Sequence, residues 1–318
     1  MSFASDIKNE LAHLTIEKKC CKLAEIAGFV RMAGTVRLMG GSRITFHVST
    51  ENPAVARHFK KTMKDYFGAS SNVLVGQANF RKVGHSYELN MTDSSGAELV
   101  LRETGVLGVK EGCNHIEEGV NDGLLKTKCC RKSYLRGVFL GAGTVNDPEK
   151  GYHMEVVCRT QALAADIKKL FNSFVDIHAK TVSRKNHFVV YLKESEQILD
   201  VLNIMGAHTQ LLKFENVRII KELRNKANRI INCDSANVDK AIRAAESQLA
   251  DIAKIQQNMG LESLPENLYE AAVLRLANPD VSVSELGELM DPPIAKSGIN
   301  YRFSKIKMIA SKAPSKAP

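Results

Sequence analysis

The sequence predicts an α+β protein made of a duplicated unit and a C-terminal all-helical module. Residues 19–36 and 128–145 repeat each other at a constant offset of 109 positions, with eight identities among eighteen aligned residues. After each copy, segments with strand-like and helix-like hydrophobic spacing follow in the same order. From about residue 264, proline breaks separate three short helical segments. These three observations predict two similar subdomains followed by a helical domain.

The repeated segments begin with Lys-Cys-Cys and end with Ala-Gly-Thr-Val. Glycine inside a helix costs about 1 kcal/mol relative to alanine, and close approach of another backbone usually offsets that cost. Gly28 and Gly137 occupy matching interior positions, and Gly141 follows Gly137 on the same helix face. We therefore expect two helices that pack against each other across a pseudo-two-fold axis and join the subdomains.

In the first repeat, a hairpin is expected over residues 35–49, with Gly40-Gly41 at its turn. Residues 52–67 place Val55, Phe59, Met63 and Phe67 at helical spacing. The segments NVLVGQ and HSYELNM follow as a second strand pair, and SGAELVLRETGVL follows as a helix.

The second repeat continues in the same order. HMEVVCR is predicted as a strand, and QALAADIKKLFNSF as a helix with Leu163, Ile167, Leu170 and Phe174 on one face. A hairpin turning at Lys185-Asn186 and the helix EQILDVLNIMG complete the unit. Each repeat therefore reads helix, two strands, helix, two strands, helix, with helices covering each sheet.

The chain has 318 residues, a net charge of +9 and a sequence pI near 9.1. Its length suits two or three domains, and its basic balance suits a polyanionic partner such as nucleic acid. The N-terminal segment has no apolar core of signal-peptide length, and no apolar run is long enough to span a membrane. We expect a cytoplasmic, nucleoid-associated protein without a membrane partner.

Seven cysteines include two adjacent pairs, Cys20-Cys21 and Cys129-Cys130. No C-x-x-C element occurs, so the usual spacing of a zinc site is missing. Neighbouring helical residues point about 100° apart, which disfavours two sulfurs of one pair binding one ion. The expectation is buried thiols with no metal and no cofactor. A site that combines one cysteine from each pair remains the alternative.

A basic segment from Lys213 to Arg229 leads into a long predicted helix, whose apolar seam comprises Val238, Ile242, Ala245, Leu249 and Ile252. Within this segment asparagines interleave with arginines, which is typical of nucleic-acid contacts. The possible additional DNA contacts are Arg224, Asn225, Asn228 and Arg229.

The C-terminal helical module covers residues 264–310. A first helix is predicted from about Glu266 to Ala277, and a second from Val283 to Met290, with Ser282 and Glu285 at capping-box spacing. The third begins near Lys296 and continues to about Ala310. On it, Ile299, Phe303, Ile306 and Ala310 share one face, which we expect to pack inward.

The remaining faces of the third helix carry Ser, Asn, Tyr, Arg and Lys, which suits a helix in the major groove of DNA. A solvated charged face on a protein-binding domain is the alternative. The predicted contacts in the segment 283–310 are Ser284, Lys296, Ser297, Asn300, Tyr301, Arg302, Lys305 and Lys307.

The segments IAGFVRMAG (26–34) and LRGVFLGAG (135–143) resemble degenerate LAGLIDADG helices of homing endonucleases. In those nucleases, the acidic residue before the last glycine binds a divalent metal. The matching residues here are Ala33 and Ala142, and a methyl group cannot bind magnesium. Asp147 is interpreted as a loop residue. The resemblance therefore implies the fold without nuclease activity.

Over nearly its whole length the chain resembles the WhiA family. The resemblance is carried by MSFASDIKNEL, the two KCC segments, RNKANRIINCDSAN and the final DPP followed by KSGINYR. It implies a DNA-binding regulator of sporulation, cell division or chromosome segregation in Gram-positive bacteria. In such a protein the LAGLIDADG-like part could also lie along DNA. Basic residues to consider there, with ordinary solvated charge as the alternative, are Arg37, Arg43, Arg81, Lys82, Arg184 and Lys185.

The predicted organisation is a LAGLIDADG-like domain over 1–222, with repeats at about 1–108 and 109–210. A helical linker (223–262), a helix-turn-helix domain (263–311) and a disordered tail (312–318) follow. The predicted function is sequence-specific transcriptional regulation without enzymatic activity. Double-stranded DNA is the expected partner, with transcription or division proteins as further partners. The alternatives are a scaffold that binds protein or ligand, and a DNA endonuclease.

Overall fold

The computed structural model describes residues 2–39, 43–68, 72–77, 85–91 and 94–312. The chain divides into two compact units, Met1–Lys221 and Glu222–Pro318. The Gly40-Gly41 turn and the tail beyond Lys312 lie outside the described residues. In the described part of the chain, no helix is both long and apolar enough to cross a membrane.

The first repeat forms the predicted order of helices and strands, preceded by a short N-terminal helix and followed by a hairpin that was not predicted. Its elements are α1 (Phe3–Ala12), α2 (Lys19–Ala33), β1 (Gly34–Met39), β2 (Arg43–Thr50), α3 (Pro53–Phe67), β3 (Asn72–Gln77), β4 (His85–Met91), α4 (Ser94–Glu103), β5 (Leu107–Lys110) and β6 (Cys113–Ile116).

The second repeat has the same order and ends in a long helix. Its elements are a 3₁₀ turn (Asp122–Leu125), α5 (Lys128–Ala142), β7 (Gly143–Val145), β8 (Met154–Cys158), α6 (Gln161–Phe171), β9 (Lys180–Arg184), β10 (His187–Leu192), α7 (Ser195–Met205) and α8 (His208–Asn258). Phe174 is buried as expected, but it follows the end of α6 and does not lie on that helix.

Each repeat contains one four-stranded antiparallel sheet with the same strand order. The orders are β1-β2-β4-β3 and β7-β8-β10-β9. In matching positions of the two sheets, Thr35 lies opposite His47 and Thr144 lies opposite Glu155. The duplication of sequence is therefore a duplication of sheet topology.

Helices α2 and α5 pack side by side at the centre of the first compact unit. A Cβ atom on Gly28 would collide with the Tyr134 carbonyl, and one on Gly137 would collide with the Glu25 carbonyl. On Gly141 it would lie 2.8 Å from the Met32 Cβ. The predicted close helix pair is confirmed, and glycine is needed because backbone meets backbone there.

Helix α8 is one continuous element of 51 residues, so the basic segment and the expected linker region up to Asn258 lie in a single helix. Its predicted apolar seam is buried only towards its C-terminal end. Ala245 and Ile252 are buried, whereas Val238 and Ile242 are 57% and 51% exposed. The predicted long helix is confirmed, whereas the burial of its apolar seam varies along the helix, because helical periodicity identifies an apolar stripe but not what covers it.

The C-terminal helices are α9 (Glu266–Ala277), α10 (Val283–Glu288) and α11 (Lys296–Lys312). They enclose a separate core that also includes Ile252 and Ile255 of α8. The second helix is thus two residues shorter than predicted, and the third extends two residues further.

Candidate nucleic-acid interface

The buried stripe of α11 is the one predicted from its sequence. Ile299, Phe303, Ile306 and Ala310 are all buried in the core of the C-terminal module. This packing fixes the rotation of α11 about its own axis, so it also determines which residues the helix presents outward.

Helix α10 begins at the predicted capping box. The Ser282 Oγ accepts from the Glu285 N–H at 3.3 Å, and the Glu285 carboxylate accepts from the Ser282 N–H at 2.9 Å. These bonds lower the pKa of Glu285 below its usual value. The cap satisfies backbone groups at the helix start, and it leaves Ser284 exposed on α10.

Opposite its buried stripe, α11 presents a polar face. At 100° per residue, the exposed residues on this face lie within an arc of about 140°. One of them, Ser304, was missing from the predicted contacts, and its hydroxyl donates to the Asn300 carbonyl at 2.8 Å. The polar residues of this face, here called the outer face of α11, are Lys296, Ser297, Asn300, Tyr301, Ser304, Lys307 and Ser311, and Met308, which is 48% exposed, lies among them.

Two other predicted contacts on α11 have partners inside the module. The Arg302 guanidinium donates to the Asn267 carbonyl at 2.9 Å and lies 3.4 Å from the Glu270 carboxylate, both on α9. Lys305 is half-buried, and its ammonium lies 5.3 Å from the centre of the Tyr301 ring. In this geometry Arg302 binds α11 to α9.

Arg275 on α9 is a buried positioning residue that was not among the predicted functional residues. Its side chain is 1% exposed, and burial lowers the pKa of its guanidinium. It donates to Gln248 of α8 at 2.9 Å and to the Val281 carbonyl, before α10, at 2.6 Å. The guanidinium also lies 5.5 Å from the centre of the Phe303 ring. One side chain thus contacts α8, the α9–α10 connection and α11.

Between residues 218 and 229, the basic residues of α8 form two groups. Arg218 pairs with Glu215 at 2.9 Å, and Lys221 donates to the Pro148 carbonyl at 2.7 Å, so both stabilise the first compact unit. The residues from 224 to 229 are all exposed. The predicted contacts therefore form an exposed basic face of α8, which consists of Arg224, Asn225, Asn228 and Arg229.

At the C-terminal ends of α2 and α5, the nuclease-like positions hold Ala33, which is buried, and Ala142, which is half-buried. The Arg159 guanidinium donates to the Gly34 carbonyl at 2.9 Å, directly after Ala33. Asp147 lies in the loop between β7 and β8, as expected. Two methyl groups, with a guanidinium beside the first of them, are a poor environment for Mg²⁺, which requires oxygen ligands.

Positively charged side chains also lie near this end of the helix pair. Burial lowers the pKa of His47, and the charges of Arg37 and Arg159 lower it further, while Glu88 opposes them. On the other sheet, the exposed Arg184 lies 3.2 Å from Glu155, and Lys185 is exposed in its hairpin turn. Arg81 and Lys82 lie outside the described residues, as does the side chain of Arg43.

At the opposite end of the same helix pair, the structure brings the two cysteine pairs together. The four sulfur atoms of Cys20, Cys21, Cys129 and Cys130, here called the cysteine cluster, all lie within 4.8 Å of one another. Cys20 Sγ and Cys21 Sγ are 4.0 Å apart. The two sulfurs of an adjacent pair therefore lie closer together than the 100° separation of neighbouring helical residues led us to expect.

Three family models match the chain in succession. The WhiA N-terminal LAGLIDADG-like domain matches residues 19–107, and the WhiA LAGLIDADG-like domain matches residues 131–224. The WhiA C-terminal HTH domain matches residues 227–310. The chain belongs to the WhiA family. Its α+β fold with two LAGLIDADG-like repeats and a C-terminal helix-turn-helix agrees with the prediction from sequence.

Relatives in the WhiA family align over essentially the full chain. "Probable cell division protein WhiA" of Alkaliphilus metalliredigens is 42% identical and covers 100% of both chains. The protein of that name from Thermoanaerobacter pseudethanolicus is 44% identical over 98% of each. The crystal structure of full-length DUF199/WhiA from Thermatoga maritima matches with a TM-score of 0.59 and 25% identity, covering 99% of this chain and 100% of that one.

Proposed function

We propose that this protein is a sequence-specific DNA-binding transcriptional regulator that reads base edges with the outer face of α11. The observation that carries the proposal is the orientation of α11. Its four apolar residues are buried, and Ser297, Asn300 and Lys307 face outward from a helix-turn-helix domain. A helix of this kind fits the major groove, where side-chain amides and hydroxyls discriminate between base pairs.

Within this proposal the residues of the outer face have different roles. Asn300 and Ser297 are the base-reading candidates, since an asparagine amide can accept from N6 and donate to N7 on the major-groove edge of adenine. Lys296 and Lys307 supply phosphate contacts, which add affinity but no sequence information. Arg302 is assigned a positioning role because it bonds to α9.

The test uses the full chain and DNA sites selected from a random library. Asn300→Ala is expected to reduce the discrimination between the correct and the wrong base pair at one position of the selected site by about 1–3 kcal/mol. Lys307→Ala is expected to weaken selected and random DNA alike, whereas Lys254→Ala, an equal charge change at another exposed position of the same compact unit, should have a smaller effect. An Asn300→Ala protein with unchanged site preference would exclude α11 as the reading helix.

A nuclease activity is not proposed, since Ala33 and Ala142 replace the metal-binding acids. Incubation of supercoiled DNA with the protein and Mg²⁺ should leave the DNA intact. Mg²⁺-dependent nicking that copurifies with the chain would contradict this assignment.

The cellular role proposed is regulation of cell division, based on the printed name of the relatives. A fluorescent fusion should colocalise with the chromosome. Depletion should lengthen the cells, and the Asn300→Ala/Lys307→Ala chain should not restore normal length. Rescue by that variant would separate the division role from DNA reading.

A protein-binding scaffold is the second candidate, favoured by an exposed apolar stripe on α8. Leu223, Ile230 and Ile231 are 62%, 55% and 60% exposed, and Val238 and Ile242 continue the stripe. Contiguous exposed apolar surface commonly marks protein contacts. If this candidate holds, Ile231→Ser/Val238→Ser should bind DNA normally but fail to restore division. Restoration by this variant would argue against it.

A further inference from the structure

The cysteine cluster combines residues from both repeats. Cys20 and Cys21 lie in the first turn of α2, and Cys129 and Cys130 lie in the first turn of α5. The two helices run side by side, and Gly28 and Gly137 bring their backbones into contact. Since the helices are related by the internal duplication, the two pairs face each other across the pseudo-two-fold axis.

We propose that the cysteine cluster binds one zinc ion, which joins the two repeats at this end of the helix pair. Four thiolates around one ion form the tetrahedral ligand set preferred by structural zinc. With Zn–S bonds of about 2.3 Å, tetrahedral sulfurs are about 3.8 Å apart. The sulfurs here lie within 4.8 Å of one another, so small side-chain rotations complete the geometry.

The spacing also selects a single ion over an iron–sulfur cluster. A cluster places several iron and sulfide atoms between its cysteines, and its ligands must be correspondingly farther apart. A tetrathiolate set favours zinc over magnesium or calcium, which bind oxygen. The ligand set is therefore that of a soft or borderline divalent ion.

The surroundings of the cluster favour thiolates. Both cysteine pairs lie at helix N-termini, where the helix dipole stabilises negative charge. The Thr127 Oγ lies 3.2 Å from Cys129 Sγ. Zn²⁺ with four thiolates carries a net charge of −2, and basic residues flank both pairs to offset it. They are Lys18, Lys19, Lys22, Lys126, Lys128, Arg131 and Lys132.

For two of the ligands, burial disfavours the charged thiolate form. Cys21 and Cys130 are buried, which raises the pKa of both thiols, that of Cys21 to about 12. Direct bonding to a cation deprotonates a thiol despite such an environment. On binding, four S–H bonds are replaced by four S–Zn bonds, and the four protons leave to solvent. Cys20 is exposed and Cys129 half-buried, which gives the ion a route inward.

This site is separate from the degenerate nuclease positions. Ala33 and Ala142 are at the opposite ends of α2 and α5, about 20 Å away at 1.5 Å per residue. The zinc ion would therefore stabilise the helix pair without taking part in phosphodiester chemistry.

The test begins with the full, reduced chain and needs no mutation. Titration with Co²⁺ under anaerobic conditions should saturate at one ion per chain. It should also give thiolate-to-cobalt absorption and the strong visible bands of tetrahedral cobalt, and Zn²⁺ should remove both. Absence of sulfur-to-metal absorption would overturn the proposal, as would a protein that instead forms a disulfide within the cluster and binds no metal when reduced.

Variants assign the ion to the cluster. Cys20→Ser and Cys129→Ser, which change its more accessible members, should each weaken Co²⁺ binding by at least about a hundredfold. Cys113→Ser and Cys233→Ser change exposed cysteines outside the cluster and should bind like the wild-type chain. Circular dichroism verifies that each variant is folded. Equal binding by the two sets, or loss in both, would overturn the assignment.

Discussion

Buried charges in the helix pair show how single residues stabilise this fold. Glu25 is 3% exposed, and its carboxylate lies 2.6 Å from the Arg136 Nε and 2.5 Å from the His58 Nε2. The three residues come from α2, α5 and α3, so the group joins both repeats. Such a group is costly to break, because the Arg136 charge, whose side chain is 14% exposed, would lose its counter-charge while remaining largely shielded from water.

Replacing Glu25 with Gln should therefore lower the free energy of unfolding by about 3–5 kcal/mol, because Arg136 loses its counter-charge. Urea denaturation followed by circular dichroism measures this loss. Glu149→Gln, at an exposed loop position, is the matched control and should change stability by no more than about 0.5 kcal/mol. Equal stability of the two variants would show that the buried group contributes nothing.

His47 gives a pH dependence whose sign follows from its lowered pKa. The unfolded chain binds a proton at this residue more readily than the folded chain does, so acidification favours unfolding. The stability is present above the unfolded pKa of about 6.5 and is lost as the pH falls through the folded value. His47→Gln should thus show a smaller fall in melting temperature between pH 7.5 and pH 5.5. An unchanged fall would contradict the assignment.

Among the elements, the α2–α5 pair places the strongest restriction on which residue types its own sequence can carry. A Cβ atom on Gly137 would meet the Glu25 carbonyl and the Phe29 N–H, both backbone groups that cannot rotate away. Helix propensity alone favours alanine by about 1 kcal/mol. Overpacking of a rigid contact costs typically 1–3 kcal/mol and sometimes more, so the steric effect prevails.

Gly137→Ala should accordingly destabilise the protein by about 2 kcal/mol or more, measured as a shift in the urea midpoint. Gly76 in β3 supplies the control, because a Cβ there meets no atom within 4 Å and its φ is not positive. Gly76→Ala should be neutral or slightly stabilising. If Gly137→Ala were also neutral, the helices would have to separate more readily than the structure indicates.

For the whole molecule, charge determines how DNA binding responds to salt. The net charge of +9 includes the exposed basic face of α8 as well as the lysines of α11. Each phosphate contact releases condensed counterions, so the logarithm of affinity falls linearly with the logarithm of salt concentration.

Arg224→Ala/Arg229→Ala should reduce the slope of that line by about two, one for each phosphate contact removed. Preference between sites should be unchanged, because phosphate contacts carry no sequence information. Lys110→Ala in the β5–β6 hairpin is an exposed control. A slope that changes no more in the double variant than in the control would remove the basic face of α8 from the interface.

Local sequence patterns predicted many of the helices and strands, because these elements depend on residues that are close together in the chain. The repeat at 19–36 and 128–145 predicted the paired helices, and the spacing of Ile299 to Ala310 predicted the buried stripe of α11. The Ser282–Glu285 cap depends on residues three apart, and it was read directly from the sequence. The helix ends were predicted less accurately and the β5–β6 hairpin was not predicted, because both depend on weaker capping and turn signals.

Contacts distant in sequence were decided only by the tertiary structure. Nothing local places Arg302 against Asn267, buries Arg275 between α8 and α11, or leaves Val238 exposed. The cysteine cluster is the clearest case. Two Cys-Cys pairs 109 residues apart lack zinc-site spacing, and packing of α2 on α5 brings four sulfurs within 4.8 Å. The sequence by itself determined the elements and their duplication, because these follow from local periodicity. The approach of side chains from different elements required the fold.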